Sequence, residues 1–336
     1  MGRRLHWTLG ALATLLVLLA GAQSFAQAKR VTIGYQQIYN PWKVAIVDQA
    51  IEKATGYDIE WRAFDSGAKV INAMASGDVQ IALAGSSPIA AGVSRGLQIE
   101  LFWIVEDIAA AEALVVREGS GIIAPQDLKG KKLGVPFVST THFHLLFALE
   151  QFGIDARDVK ILNMQPDAIA RAWSRGDIDA AFVWEPTLGA IKQSGKVLIT
   201  SGLLSSWGKA TFDGLVSVKD WAAANPEFMV ALVKEIAKAD AAYRDDPQAW
   251  TATSEMVQKI VGLVGGDPEA VPAVLALYTF PTLEEQASER WLGGGAARAL
   301  LFTSEFLIAE GKLDTLLPDY GTAVNPTWVQ RALEQP

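Results

Sequence analysis

The chain has 336 residues, 50% of them hydrophobic and 20% charged, with a formal charge of −8 and no cysteine. That length can bury one large core or two of moderate size. The absent cysteines exclude thiol catalysis, cysteine metal sites and iron–sulfur clusters, and the acidic balance argues against nucleic acid and anionic membrane as partners.

In chain order, the first segment is a targeting signal. Arg3 and Arg4 precede an apolar run from Leu9 to Gly21, and small-residue cleavage patterns follow, ending at Ala26 or Ala28. This is the layout of a secretory signal peptide, expected over residues 1–28. The run is short for a bilayer span, and no cysteine follows it for lipid attachment. No later apolar run is long enough to cross a membrane.

From Val31 onward, short apolar runs alternate with helical periodicity. Strands are predicted over 31–35, 58–64, 79–85, 100–105, 113–117, 132–136, 159–163, 180–184 and 196–200. Helices are predicted between most of them, for example over 42–55 and 143–152. After Asp220 the pattern becomes helical, over 226–243, 246–264 and 296–311. Alternation of this kind predicts an α/β architecture with mainly parallel sheets.

Two segments match in layout: "AMASGDVQIALAGSSPIAAG" from Ala73 and "AWSRGDIDAAFVWEPTLGAI" from Ala172. Each reads as helix end, Gly-Asp turn, apolar strand, short loop and a proline at a helix start. Gly77 and Gly176 suit the left-handed position that closes a helix, and Pro88 and Pro186 suit the first helical position. The match predicts two similar lobes. Segments 113–117 and 213–219 are extended and placed to cross between them. The expected division is 29–113 with 214–336 as one lobe and 114–213 as the other, with a ligand cleft between. The tripeptide Arg175-Gly176-Asp177 then reads as a helix stop and turn.

Strand ends that lead into helices are the usual ligand sites of open α/β sheets. Ser86 and Ser87 occupy one such corner, and Ser139, Thr140 and Thr141 another. Hydroxyls beside unpaired helix-start amides suit an anion, and they equally suit plain helix capping. Trp184 offers a flat apolar face, and Glu185 offers either charge to a ligand or a carboxylate to the helix dipole. Asp213, before Gly214, is a turn residue or the partner of an ammonium group. An anion end and a cation end together suit a small zwitterion. His142 and His144 lie two apart, which on a helix does not make a metal pair, so neither a metal nor a cofactor is expected. "GVSRG" (Gly92–Gly96) matches the serine-hydrolase string, but Ser94 reads as a helix terminus, so no enzyme is expected.

The strings "GSSP", "GVPFVSTTHFHLLFAL" and "RAWSRGDIDAAFVWEP" resemble the taurine-, sulfonate- and nitrate-binding proteins of bacterial ABC importers. The resemblance implies a type II periplasmic binding fold: two α/β lobes joined by a two-segment hinge. It implies a periplasmic substrate-binding protein acting as a monomer and delivering taurine to an inner-membrane ABC permease. Other aliphatic sulfonates, nitrate or a pyrimidine precursor are the alternative ligands. By position, Ser86, Ser87, Thr140 and Thr141 would hold the sulfonate, Asp213 the ammonium and Trp184 the two-carbon linker. Gln36 would touch the ligand. Glu185 and the loop "QIYNPWK" depart from the family pattern. The chemistry agrees: a sulfonate only accepts hydrogen bonds and needs donors, whereas an ammonium needs acceptors.

Overall fold

The structure is a computed structural model that describes residues 29–334, so the expected signal peptide over 1–28 lies outside the described residues. Among the described residues, ten strands form two five-stranded sheets. The strands are β1 (Arg30–Gln36), β2 (Asp58–Phe64), β3 (Ile81–Gly85), β4 (Ile99–Asp107), β5 (Glu112–Arg117), β6 (Lys132–Val135), β7 (Lys160–Asn163), β8 (Ala180–Trp184), β9 (Gly195–Thr200) and β10 (Phe212–Val218). The first sheet has the order β2-β1-β3-β10-β4 and the second β7-β6-β8-β5-β9. Residues of β3 and β8 are buried throughout, as continuous apolar runs covered on both faces should be.

Both sheets are mixed, which corrects the expectation of mainly parallel pairing. β1 pairs in parallel with β2 and β3, and β6 with β7 and β8. β10 is antiparallel to β3 and β4, and β5 is antiparallel to β8 and β9. The cause is topological. Each of these two strands enters its sheet from the other lobe and runs away from the junction, against its neighbours. β5 and β10 are therefore central strands and not the connectors expected over 113–117 and 213–219. The chain instead changes sheets between Asp107 and Glu112 and again between Ser206 and Phe212. Ala109, in the first crossing, takes the left-handed region at φ 45°, which a residue with a β-carbon adopts only at a cost.

This topology places two kinds of strand end along one edge. The parallel strands finish there, and β5 and β10 begin there. Gly85, Glu106, Trp184, Glu112 and Asp213 thus converge although they are far apart in sequence.

Helices cover the sheets. Leu133, Val135, Phe147, Ala148 and Phe182 form the core of the second lobe, and fully burying each large apolar side chain stabilises by roughly 1.5–3 kcal/mol. The helical C-terminal part packs on the first sheet through Leu232, Val233, Ile236, Leu300 and Val329. The helix predicted over 42–55 is two, Lys43–Val47 and Ala50–Thr55, because Gln49 turns left-handed at φ 53°. Gly77 and Gly176 take the expected left-handed conformation, at φ 86° and 73°. The prolines sit differently. Pro88 is the third residue of the Ser86–Ser94 helix, and Pro186 is the cap before Thr187–Lys192, after a cis bond from Glu185.

Candidate ligand-binding cleft

A polar cavity lies where the two sheets meet. Gln36, Gly85, Pro88 and Asp213 line it from the first lobe, and Glu112, Ser139, Thr140 and Trp184 from the second. Tyr278, from the C-terminal part, closes one side, and its neighbour Thr279 is fixed by paired backbone bonds with Asp107 of β4. The space is about 20 Å³, room for about one water molecule. A larger ligand therefore requires the lobes to part. Trp184 also lines a second cavity of about 270 Å³ nearer the surface, with Asp65 and Asp167 at its walls.

Two helix starts border the inner cavity. The Ser86–Ser94 helix follows Gly85, and the Thr140–Gln151 helix follows Ser139. Their first amides have no acceptor within the helix, and each start carries partial positive charge. Ser139 caps its own helix, accepting from the His142 amide at 3.1 Å, and shares a bond of 2.8 Å with the Thr141 hydroxyl. Ser86 and Ser87 are fully buried, and neither hydroxyl has a partner among the described residues. An unpaired buried hydroxyl costs about 1–3 kcal/mol, so both are poised to donate.

Beside these donors is a group of buried acids. Asp213 pairs with Gly85 on one side of β10 and with Glu106 on the other. Burial raises its carboxyl to about 6, against a hydrogen bond from Glu106 and the charge of Lys43. Glu106 is raised well above the usual range by burial and by Asp213. The one buried lysine near them, Lys43, sits over the rings of Trp42 and Tyr35 at 4.3 and 4.9 Å, and burial lowers it to about 7. Burial likewise raises Glu112 to about 8.

Of the eight residues expected to bind ligand, Gln36, Thr140, Trp184 and Asp213 line the cavity. Ser86, Ser87 and Thr141 lie in the first turns of the two bordering helices without lining it. Glu185 turns away from the expected role. Its carboxylate accepts from the Gly189 amide at 2.7 Å and pairs with Lys192 at 3.0 Å, because a helix start beside it offers free donors. Glu112, Tyr278 and Lys43 were not expected. Glu112 and Tyr278 are brought in by long-range pairing, Lys43 by the packing of its helix start, and no local motif marks any of them.

The competing motifs have structural uses. Ser94 ends its helix and bonds the Tyr320 hydroxyl at 2.7 Å and Ser304 at 3.1 Å. Asp127 bonds the amides of Ile123 and Ala124, and Asp107 pairs with Arg290. Arg175 pairs with Asp177 across Gly176 at 2.7 Å. His142 stacks on Phe137 at 4.5 Å, and no group of three or more metal-ligating side chains occurs among the described residues.

Two mixed sheets, crossed twice by the chain and meeting over a buried polar cavity, define a type II periplasmic binding fold. The alkanesulfonate-binding protein SsuA from Xanthomonas axonopodis pv. citri, solved bound to MOPS, shares it with a TM-score of 0.74 at 21% identity, over 89% of this chain and 99% of that one. The desulfurization enzyme DSZB also shares it, with a TM-score of 0.62 at 16% identity over 91% and 99% of the two chains, so the fold alone does not separate binding from catalysis. In sequence, the NMT1/THI5-like family matches residues 53–250. The taurine-binding periplasmic protein of Escherichia coli (strain K12) is 41% identical over 317 residues, covering 94% of this chain and 98% of that one. The chain belongs to the NMT1/THI5-like family, and the resemblance carried by "GSSP" and "STTH" is borne out.

Proposed function

We propose that the protein is the exported substrate-binding component of an ABC importer and that it captures taurine between its lobes. Its relatives carry names as binding proteins, in keeping with capture and not catalysis. The observation that carries the ligand assignment is buried Asp213 lining a cavity bordered by two donor-rich helix starts. Ser86 and Ser87 on one side would receive the sulfonate through amides and hydroxyls, and Thr140 and Thr141 on the other through their helix-start amides. Asp213 would hold the ammonium, and Trp184 with Gln36 would bound the two-carbon linker. A simple alkylsulfonate would leave Asp213 unpaired in a buried site, which costs several kcal/mol and disfavours it.

In this reading the lobes, expected as 29–113 with 214–336 and as 114–213, swing about 108–111 and 207–211, a few residues upstream of those divisions. A signal peptide over 1–28 would send the chain to the periplasm, where it would act as a monomer and meet an inner-membrane permease. Titration of taurine, ethanesulfonate and nitrate against tryptophan fluorescence tests the assignment. Taurine should bind most tightly, and tight nitrate or ethanesulfonate binding without taurine binding would refute it.

A further inference from the structure

Glu112 stands at the cleft end of a buried hydrogen-bond chain. Its Oε1 accepts from the Thr140 hydroxyl, and its Oε2 lies 3.0 Å from Ser201 Oγ. Ser201 Oγ lies 2.7 Å from His144 Nδ1, and His144 Nε2 lies 2.7 Å from the Lys209 carbonyl oxygen. All four side chains are buried. The chain therefore runs from the cavity wall to the second crossing between the lobes.

The protons along it can be placed by counting donors. A carbonyl oxygen only accepts, so His144 carries a proton on Nε2. Burial holds the ring far below its ordinary value, at about 4, so Nδ1 is bare and accepts. Ser201 has one proton and gives it to Nδ1. The short contact between Ser201 Oγ and Glu112 Oε2 then needs a proton that only Glu112 can supply. Thr140 supplies the proton facing Oε1. Every donor is used once and every contact is satisfied.

We infer that His144 and Ser201 are positioning residues that hold Glu112 in the cleft as an uncharged carboxylic acid, so that Asp213, and not a pair of carboxylates, meets a ligand cation. The surroundings agree. Burial is the main influence on Glu112 and raises it; the contacts with Thr140 and Ser201 act the other way, Asp213 adds to burial, and no cation offsets them. Across the β5–β8 pair it faces Trp184, and Lys43 answers Glu106 and Asp213. A neutral Glu112 does not repel an anionic group bound beside it. It also keeps the site from favouring a dication, which two adjacent carboxylates would attract. Thr140, having given its proton to Glu112, turns only lone pairs to the cavity, which leaves donation at that corner to the helix-start amides. The protonation of Glu112 does not depend on which ligand binds; only its consequence for selectivity rests on the taurine reading.

The test needs no ligand. Infrared spectra of the whole protein near neutral pH should show a protonated-carboxyl C=O band that is lost in Glu112→Gln and shifts in Ser201→Ala, which removes one of its hydrogen bonds. Nitrogen-15 spectra should show His144 protonated at Nε2 only. A carboxylate band lost in Glu112→Gln in place of the acid band, or His144 protonated at both nitrogens, would overturn the inference. Gln keeps one acceptor and one donor in the places of the acid, so Glu112→Gln should fold. If Ser201→Ala does not, the histidine spectrum of the unsubstituted protein decides alone.

Discussion

Gly85 and Thr140 come from opposite lobes, yet a β-carbon placed on Gly85 would lie 2.9 Å from Thr140 Cγ2 and 3.2 Å from the Asp213 carboxylate. The two lobes thus meet at a point where only a hydrogen fits. Backbone conformation does not demand glycine there, since the residue is extended at φ −68°. Close approach does.

Gly85→Ala should therefore act on closure more than on folding. Overpacking of this kind costs about 1–3 kcal/mol, and the part due to Thr140 is felt only when the lobes are closed. We expect taurine affinity to fall on the order of tenfold, with little change in the urea midpoint. Thr140→Ser removes the clashing methyl and keeps the hydroxyl that bonds Glu112. Adding it should restore part of the affinity, as calorimetry of the double variant would show; no rescue would mean that the contact with Asp213 dominates.

The buried groups give stability a definite pH dependence. Asp213 and Glu112 sit at about 6 and about 8, above their ordinary values. The native state then keeps protons that the unfolded chain has lost, so stability falls with rising pH, up to about 6 for Asp213 and about 8 for Glu112. His142 and His144, both lowered to about 4, act in the opposite sense. There the unfolded chain binds more protons, and stability is lost as pH falls from about 6.5 towards 4. Between pH 6.5 and 8, Glu112 should cost about 2 kcal/mol. Lys43, lowered to about 7, acts in the opposite sense above that pH, because the unfolded chain keeps a proton the native state has lost. Urea melts across the interval should therefore show a steeper decline in the unsubstituted protein than in Glu112→Gln. A decline unchanged in that variant would assign it elsewhere.

Ser94 offers a further check. Its hydroxyl joins Ser304 and Tyr320 within the first lobe and lines neither cavity at the lobe junction. Ser94→Ala should lower stability by about 1–2 kcal/mol and leave taurine binding as it was. Ester hydrolysis that disappears in this variant would revive the hydrolase reading.

The sequence made the layout legible and the site only in part. Alternating runs marked nine of the ten strands, and β10 was legible only as an extended stretch that reads as a crossing between the lobes. The Gly77 and Gly176 turns were visible because the left-handed conformation selects glycine. Thr140, Trp184 and Asp213 could be found at corners where strands meet helices or where a turn begins. Glu112 could not. In "AAAEALVV" it looks like a solvent-facing charge before a strand, and only the antiparallel insertion of β5 brings it to the cleft. Lys43 hid for a related reason, since a lysine on a helix is expected at the surface. Tyr278 lies in a loop with no periodicity. For Glu185 the sequence offered two readings, and its contact with the Gly189 amide is the helix-start one.

Calorimetric titration of taurine and ethanesulfonate into the unsubstituted protein and Asp213→Asn tests the central assignment most directly. The two ligands differ by the ammonium group alone. The unsubstituted protein should prefer taurine, and Asp213→Asn should weaken taurine binding on the order of a hundredfold, the loss typical of one partner of a buried charge pair, while leaving ethanesulfonate little changed. Equal losses for both ligands, or tighter binding of ethanesulfonate than of taurine by the unsubstituted protein, would contradict the role given to Asp213.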